Sequence, residues 1–295
     1  MELNTNIFKN ACAFTLLTRK WSNSRQADKD KITTDADKTL LKVTKTLIEC
    51  AEYDTIGKFM TETRRFVTRR SVPTFFLKGA YLVKLEVVQM IADYITSRRD
   101  TLKEKLIPAL VAAYPPAKDL MLTRLNGQFD EDDYPSIEVL PSLFDITYNF
   151  ISFEVPEGLP PGLAKLEKEK LAEQWKETGE KVTVALRATL AEALEHMSDR
   201  LKVVPGEKPK IFKNSSFERI TEFIDTFKCV DIMNDVELGK LVEKARQVVR
   251  GVDPDKLRKD TDMRNSLAAR MTEIKTGVDG LLSSTPSRAF ALEDE

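Results

Sequence analysis

Hydrophobic residues recur along most of this chain at steps of three and four, the spacing that keeps one face of an α-helix apolar. Leu40, Thr44, Leu47, Ile48, Ala51, Thr55, Phe59 and Phe66 predict one amphipathic helix from Ala36 to Arg70. It should end near Val72-Pro73, because proline disfavours helical geometry in the residue before it. A short apolar step, Phe75-Phe76-Leu77, and Gly79 follow. Leu85, Val88, Ile91, Ala92, Ile95, Leu102, Leu106, Leu110 and Ala113 predict a second helix over 83–113, kinked at Pro108 and stopped by Tyr114-Pro115-Pro116. Two such helices on a short connection should pack antiparallel as a hairpin. A brief helix over 117–126 should close at Gly127, which tolerates the left-handed turn after a helix.

Beyond Pro156 and the Pro160-Pro161-Gly162 linker, a third long helix is predicted over 163–201. Its stripe is Leu171, Trp175, Val182, Leu186, Leu190, Leu194, Met197 and Leu201, with Gly179 as a weak point. C-terminal helices follow at about 216–230, 235–250 and 254–282. Gly251 closes the second, and Asp253-Pro254 opens the last with an N-cap and a first-turn proline. Aromatic and β-compatible residues on both parities, without helical spacing, mark a strand over 8–21 with both faces partly covered. Period-two alternation marks another from Phe144 to about Val155, and 202–213 reads as extended. A small sheet built near residues 10, 148 and 208 would join the two halves. The expected fold is mainly α: a long antiparallel helical hairpin and helical bundle with a small accessory β-sheet. Its domains are residues 1–156 (hairpin plus strands) and 157–282 (a second helical region packed on the first), with a disordered tail at 283–295.

Composition narrows the function classes. Of 295 residues, 46 are Lys or Arg and 47 Asp or Glu, so neither a globally basic nucleic-acid binder nor an acidic solvating chain fits. Eleven glycines are few for a turn-rich β fold, and no G-x-x-x-x-G-K-[ST] or G-x-G-x-x-G sequence offers a phosphate loop. Cys12, Cys50 and Cys229 make neither a disulfide framework nor a zinc pattern and suit a reducing cytoplasm. There is no signal-peptide pattern at Met1–Asn10, and no apolar run of membrane-spanning length. The single imidazole, His196, stands beside no nucleophile turn. The acidic run Asp130-Glu131-Asp132-Asp133 attracts a divalent-cation reading. An EF-hand starting there would, however, need Gly and Glu where Pro135 and Pro141 stand. The expectation is therefore no catalytic residues, no cofactor and no metal.

Charge is segregated along the chain. Residues 58–105 hold eleven basic side chains against five acids, a net +6, while 125–164 hold eight acids and no base. Arg64, Arg65, Arg69, Arg70, Arg98 and Arg99 are the candidates for contact with nucleic acid or an acidic partner surface. The opposing reading pairs that patch with the acidic loop of this chain or of a neighbouring copy.

One stretch resembles a known family. Ala113-Tyr114-Pro115, then Arg124-Leu125-Asn126-Gly127-Gln128-Phe129, the acidic run, and Tyr134-Pro135-Ser136 look like a bacterial and bacteriophage family catalogued as a domain of unknown function. Val72-Pro73 and the Phe144, Phe150, Pro156 stretch follow its pattern too, and the likeness spans roughly residues 10–215. It implies a phage or prophage protein of the host cytoplasm. It also implies association with MoxR-like AAA+ ATPases, whose genes neighbour the family's. Within the motif, Tyr114, Pro115, Arg124, Leu125, Asn126, Gly127, Phe129, Tyr134 and Pro135 read as structural residues. The function expected is a non-enzymatic adaptor or assembly component with a protein partner or a second copy of itself. The alternative is a nucleic-acid-binding accessory protein, and no membrane association is expected.

Overall fold

The computed structural model describes residues 10–74, 77–151, 155, 157–203, 214–258 and 260–284. They are mainly helical with a minor sheet, as the periodicity predicts. Two compact units share the chain. Residues 14–68 and 88–151 form one, here the hairpin unit. Residues 1–13, 69–87 and 152–295 form the other, the bundle unit. Among the described residues no helix is long and apolar enough to cross a membrane.

The strands are β1 (Ala11–Arg19), β2 (Ser24–Gln26), β3 (Thr44–Thr46), β4 (Val72–Pro73), β5 (Ala80–Lys84) and β6 (Asp145–Ile151). The small sheet runs in the order β4-β5-β1-β6, and β2 and β3 make a separate ribbon. β1 and β6 meet the expectation near residues 10 and 148, while the strand proposed near 208 lies outside the described residues. The β4–β5 pair is a tight antiparallel step with Val72 opposite Leu82. Gly79, at φ +83, supplies its turn, a geometry glycine adopts without a Cβ clash.

In the hairpin unit, α1 (Ala51–Thr68) buries Tyr53, Ile56, Met60, Thr63 and Val67, an unbroken 3-4-3-4 stripe. The expected helix over 36–70 is thus shortened by its first fifteen residues. Three interactions win there, one a local turn and two made with the distant segment 23–26. The Asp37 carboxylate accepts from the Thr39 amide and hydroxyl at 2.9 and 2.8 Å, a turn that competes with helix. Thr44–Thr46 pairs antiparallel with β2, Arg25 opposite Lys45. Asn23 exchanges two 2.7 Å bonds with the amide and carbonyl of Ile48, extending the ribbon. Leu40, counted in the predicted stripe, is 84% exposed.

The second predicted helix is also revised. α2 (Leu85–Thr101) continues through a widened π-helical turn at Leu102–Leu106 into α3 (Ile107–Leu125). The Ile107 amide bonds the Leu102 carbonyl, five residues back, which inserts one residue. The buried face therefore steps from Leu102 to Ile107 and Leu110. This wider turn makes room for the ring of Pro108, which would collide with a carbonyl in a regular helix. Tyr114-Pro115-Pro116 does not stop α3 either. Pro115 and Pro116 lie on the exposed face, while Tyr114, Ala117 and Met121 on the opposite face are buried. The left-handed turn at its end falls on Asn126 (φ 45) rather than on Gly127. α1 and α2 run antiparallel: Phe66 stacks on Tyr94 at 3.6 Å, and Phe59 and Thr63 meet Arg98. Trp21, Tyr53, Tyr114 and Phe144 contact edge to face between them and anchor this core.

In the bundle unit, α4 (Pro161–Leu201), α5 (Asn214–Val230), α6 (Val236–Val249), a short turn α7 (Pro254–Leu257) and α8 (Thr261–Ser283) enclose one apolar core. The last predicted helix is divided in two, because both Asp253 and Asp260 cap: each carboxylate accepts from a backbone amide at 2.9 Å. Gly251 (φ +74) closes α6 as expected. Leu190, Leu194, Met197 and Leu201 of α4 pack with Ile220, Leu238, Val242, Met271, Ile274 and Val278. α4 and α8 are antiparallel, with Arg187 bonding the Leu281 carbonyl and Arg264 bonding the Leu201 carbonyl. The Arg264 guanidinium also takes the Arg200 carbonyl at 2.7 Å, offsetting the negative end of α4. The tail expected to be disordered lies outside the described residues beyond Ser284.

Candidate functional site

The central motif folds back on itself within the hairpin unit and builds a cleft. Tyr114, Lys118 and Leu122 recur every fourth residue along α3, so they line one face of it. The facing wall is the loop over 129–137. Asp130 shapes its start: the carboxylate accepts from the Asp132 amide at 3.1 Å and caps a single 3-10 turn at Glu131–Asp133. Tyr134 then follows in an extended conformation, buried, with its hydroxyl donating to the Leu47 carbonyl at 2.8 Å. Phe129 stacks on the Tyr134 ring, centroids 4.9 Å apart. Tyr114 closes the base by donating to the Pro135 carbonyl at 2.9 Å.

Behind this wall the loop is fastened by cations. Asp133 accepts from Lys45 at 2.7 Å and lies 3.7 Å from Arg25. Lys31 donates to the Gly127 carbonyl at 2.7 Å, and Gln128 exchanges two bonds with the backbone of Asp28. Arg124 pairs with Glu49. In front, Lys118 pairs with Glu131 and sits 5.3 Å over the Tyr134 ring. Burial pushes both phenols up to about 12, helped at Tyr114 by Tyr134 and Glu131 and at Tyr134 by Asp133 and Glu131. Both therefore stay protonated and serve as hydrogen-bond donors at neutral pH.

The cleft so formed has a volume of about 380 Å³ and is lined by Tyr114, Pro115, Lys118, Asp119, Leu122, Phe129, Glu131, Pro135, Ser136 and Ile137. Its inner polar groups are already spent: Tyr114 on Pro135, and Lys118 on Glu131. What faces outward is Asp119 together with large apolar side chains. Leu122 is 55% exposed and Ile137 39%, with Val139 beside it on the same loop at 49%. Of the motif residues, Tyr114, Pro115, Phe129 and Pro135 line the cleft, and Tyr134 stacks behind Phe129. Lys118, Asp119, Leu122 and Ile137 were not singled out by sequence, because no local pattern shows that α3 and the loop after it face one another.

The six candidate arginines do not form one patch. Arg98 lies along α1: its guanidinium stacks on Phe59 at 3.3 Å, donates to the Thr63 hydroxyl and the Phe59 carbonyl at 2.9 Å, and reaches Glu62 at 3.3 Å. Arg99 instead meets Asp145 of β6 at 3.0 Å, with Lys103 at 3.8 Å from the same carboxylate. Arg64 donates to the Thr18 hydroxyl, and Arg65 is exposed. Arg69 and Arg70 belong to the bundle unit, where Arg69 pairs with Glu222 of α5. The acidic run is met by Lys45 and Arg25 at Asp133 and by Lys118 at Glu131. His196 is half-buried on α4, its Nδ1 buried with no hydrogen-bond partner among the described residues. Among the described residues no group of three His, Cys, Asp or Glu side chains is placed to hold a metal ion.

No protein-family model, no curated protein and no solved structure matches this chain. The likeness read at residues 113–136 therefore assigns no family, and the cleft is interpreted from its own residues.

Proposed function

We propose that this chain is a non-catalytic binding protein, an adaptor or assembly component, and that the motif cleft is where it docks a partner protein. One observation carries the reading: the cleft's inner polar groups are satisfied internally while Leu122 and Ile137 stay exposed at its mouth. Apolar contact is then the binding capacity left over, and a concave site with a few exposed apolar anchors is the usual form of a hot spot. The three unpaired thiols suit residence in a reducing cytoplasm. The resemblance offers an AAA+ ATPase as one partner class.

A photo-crosslinking residue placed at Leu122 tests this in cells that carry the protein's natural partners. Protein adducts are expected from position 122 and not from a control at Val236, which is 66% exposed in the bundle unit. Equal labelling at both positions, or no adduct at 122, would reject the proposal. The nucleic-acid reading has less support, because Arg69, Arg98 and Arg99 are held by carboxylates of the same chain.

A further inference from the structure

We infer that the occupant of the motif cleft is a short peptide segment of a partner protein, with a large apolar anchor flanked by Lys or Arg. This inference rests on the docking role proposed above and adds the chemistry of what docks.

Two observations carry it. The first is size and character: about 380 Å³, walled by Tyr114, Pro115, Phe129 and Pro135 and opened by Leu122 and Ile137. Such a volume, near the low end for ligand sites, takes about one or two large side chains. The second is charge around the mouth. Glu131 is matched by Lys118, and Asp133 by Lys45. Asp119 on the α3 wall, and Asp130, Asp132 and Glu138 on the loop, are exposed and have no cation at ion-pair distance among the described residues. The Asp130 carboxylate accepts from the Asp132 amide, and hydrogen bonding from Ser136 holds the Glu138 carboxyl below its ordinary range. Asp119 lines the cleft itself, and Asp130, Asp132 and Glu138 stand on the chain segment that supplies its other wall, next to the lining residues Phe129, Glu131 and Ile137. These four carboxylates attract a segment carrying cations and repel an acidic one, which sets partner choice and association rate more than contact area does.

Panning a random dodecamer phage-display library on the full chain tests the inference. Enriched peptides should combine a Leu, Ile, Met or Phe with two or more Lys or Arg. Synthetic copies should bind about tenfold more weakly to Leu122→Asp and to Ile137→Asp, whose parent side chains are exposed, so that folding is spared. Binding should weaken at least about threefold in Asp130→Asn/Asp132→Asn/Glu138→Gln, and fall with added salt. Enrichment of neutral or acidic peptides that still depend on Leu122 would overturn the inference while leaving the docking role intact. Peptide binding indifferent to Leu122 and Ile137, no enrichment at all, or a self-dimer that Leu122→Asp dissociates would overturn both.

Discussion

Tyr114 and Tyr134 show how much of the cleft depends on single hydroxyls. Each donates to a backbone carbonyl that lies far away in sequence, Pro135 and Leu47 respectively. Burial pushes both phenols to about 12 from an ordinary value near 10. A group whose folded pKa is raised contributes stability that is fully present below its unfolded pKa and is lost as pH climbs to the folded one. Urea-measured stability should therefore fall as pH rises from about 10 to about 12, and fall less steeply in Tyr114→Phe/Tyr134→Phe. Parallel pH profiles for the two proteins would remove these phenols from the account. Sequence reasoning found both tyrosines through the motif, but not their partners, because a hydrogen bond to a carbonyl 87 residues away leaves no local pattern.

At the scale of elements, the helices were legible, and the ends were legible in α4, α5 and α6 but not in the hairpin unit. Buried residues in α4 recur where the sequence places its stripe, because a helix face is set by neighbours three and four residues away. In α1 the predicted Ala51, Thr55, Phe59 and Phe66 are not buried, and the neighbouring face of Tyr53, Ile56, Met60, Thr63 and Val67 is buried instead. The errors arose where a local signal competed with burial. Proline is a strong helix breaker, yet α3 runs through Pro115-Pro116 because its opposite face buries Tyr114, Ala117 and Met121. That account predicts that Pro116→Ala, which restores an amide to bond the Ala112 carbonyl on an exposed face, stabilises the protein by about 1–3 kcal/mol. Thermal unfolding by circular dichroism reads it, and an unchanged or lower midpoint would mean that the helix has adapted its backbone to the ring. The opposite error, helix over 36–50, came from counting Thr44 and the exposed Leu40 as part of a stripe. Nothing local announces that Thr44–Thr46 has a strand waiting at Ser24–Gln26.

The whole molecule is divided in a way that chain order conceals, since residues 69–87 and the first thirteen belong with the C-terminal bundle. Inside that unit a buried ion pair joins three helices. Arg187 of α4 meets Asp235 at the start of α6 at 2.8 Å and donates to the Leu281 carbonyl of α8 at 2.8 Å. The Asp235 carboxylate also caps the Leu238 amide. Arg187→Met leaves that buried carboxylate without its cation and should cost about 3–5 kcal/mol, measured by urea unfolding. A loss under about 1 kcal/mol would show that solvent reaches Asp235 and replaces the guanidinium.

By itself the sequence determined that this chain is mainly helical, where the apolar stripe of α4 lies, and that Gly251 ends one helix and Asp253 caps the next. All of these are written in spacings of a few residues. Tertiary structure alone decided which strands pair, how the two units partition the chain, and that the motif closes around a cleft with Leu122 and Ile137 at its mouth. Those outcomes depend on which distant groups bury one another, and a one-dimensional pattern of polar and apolar residues does not encode that choice.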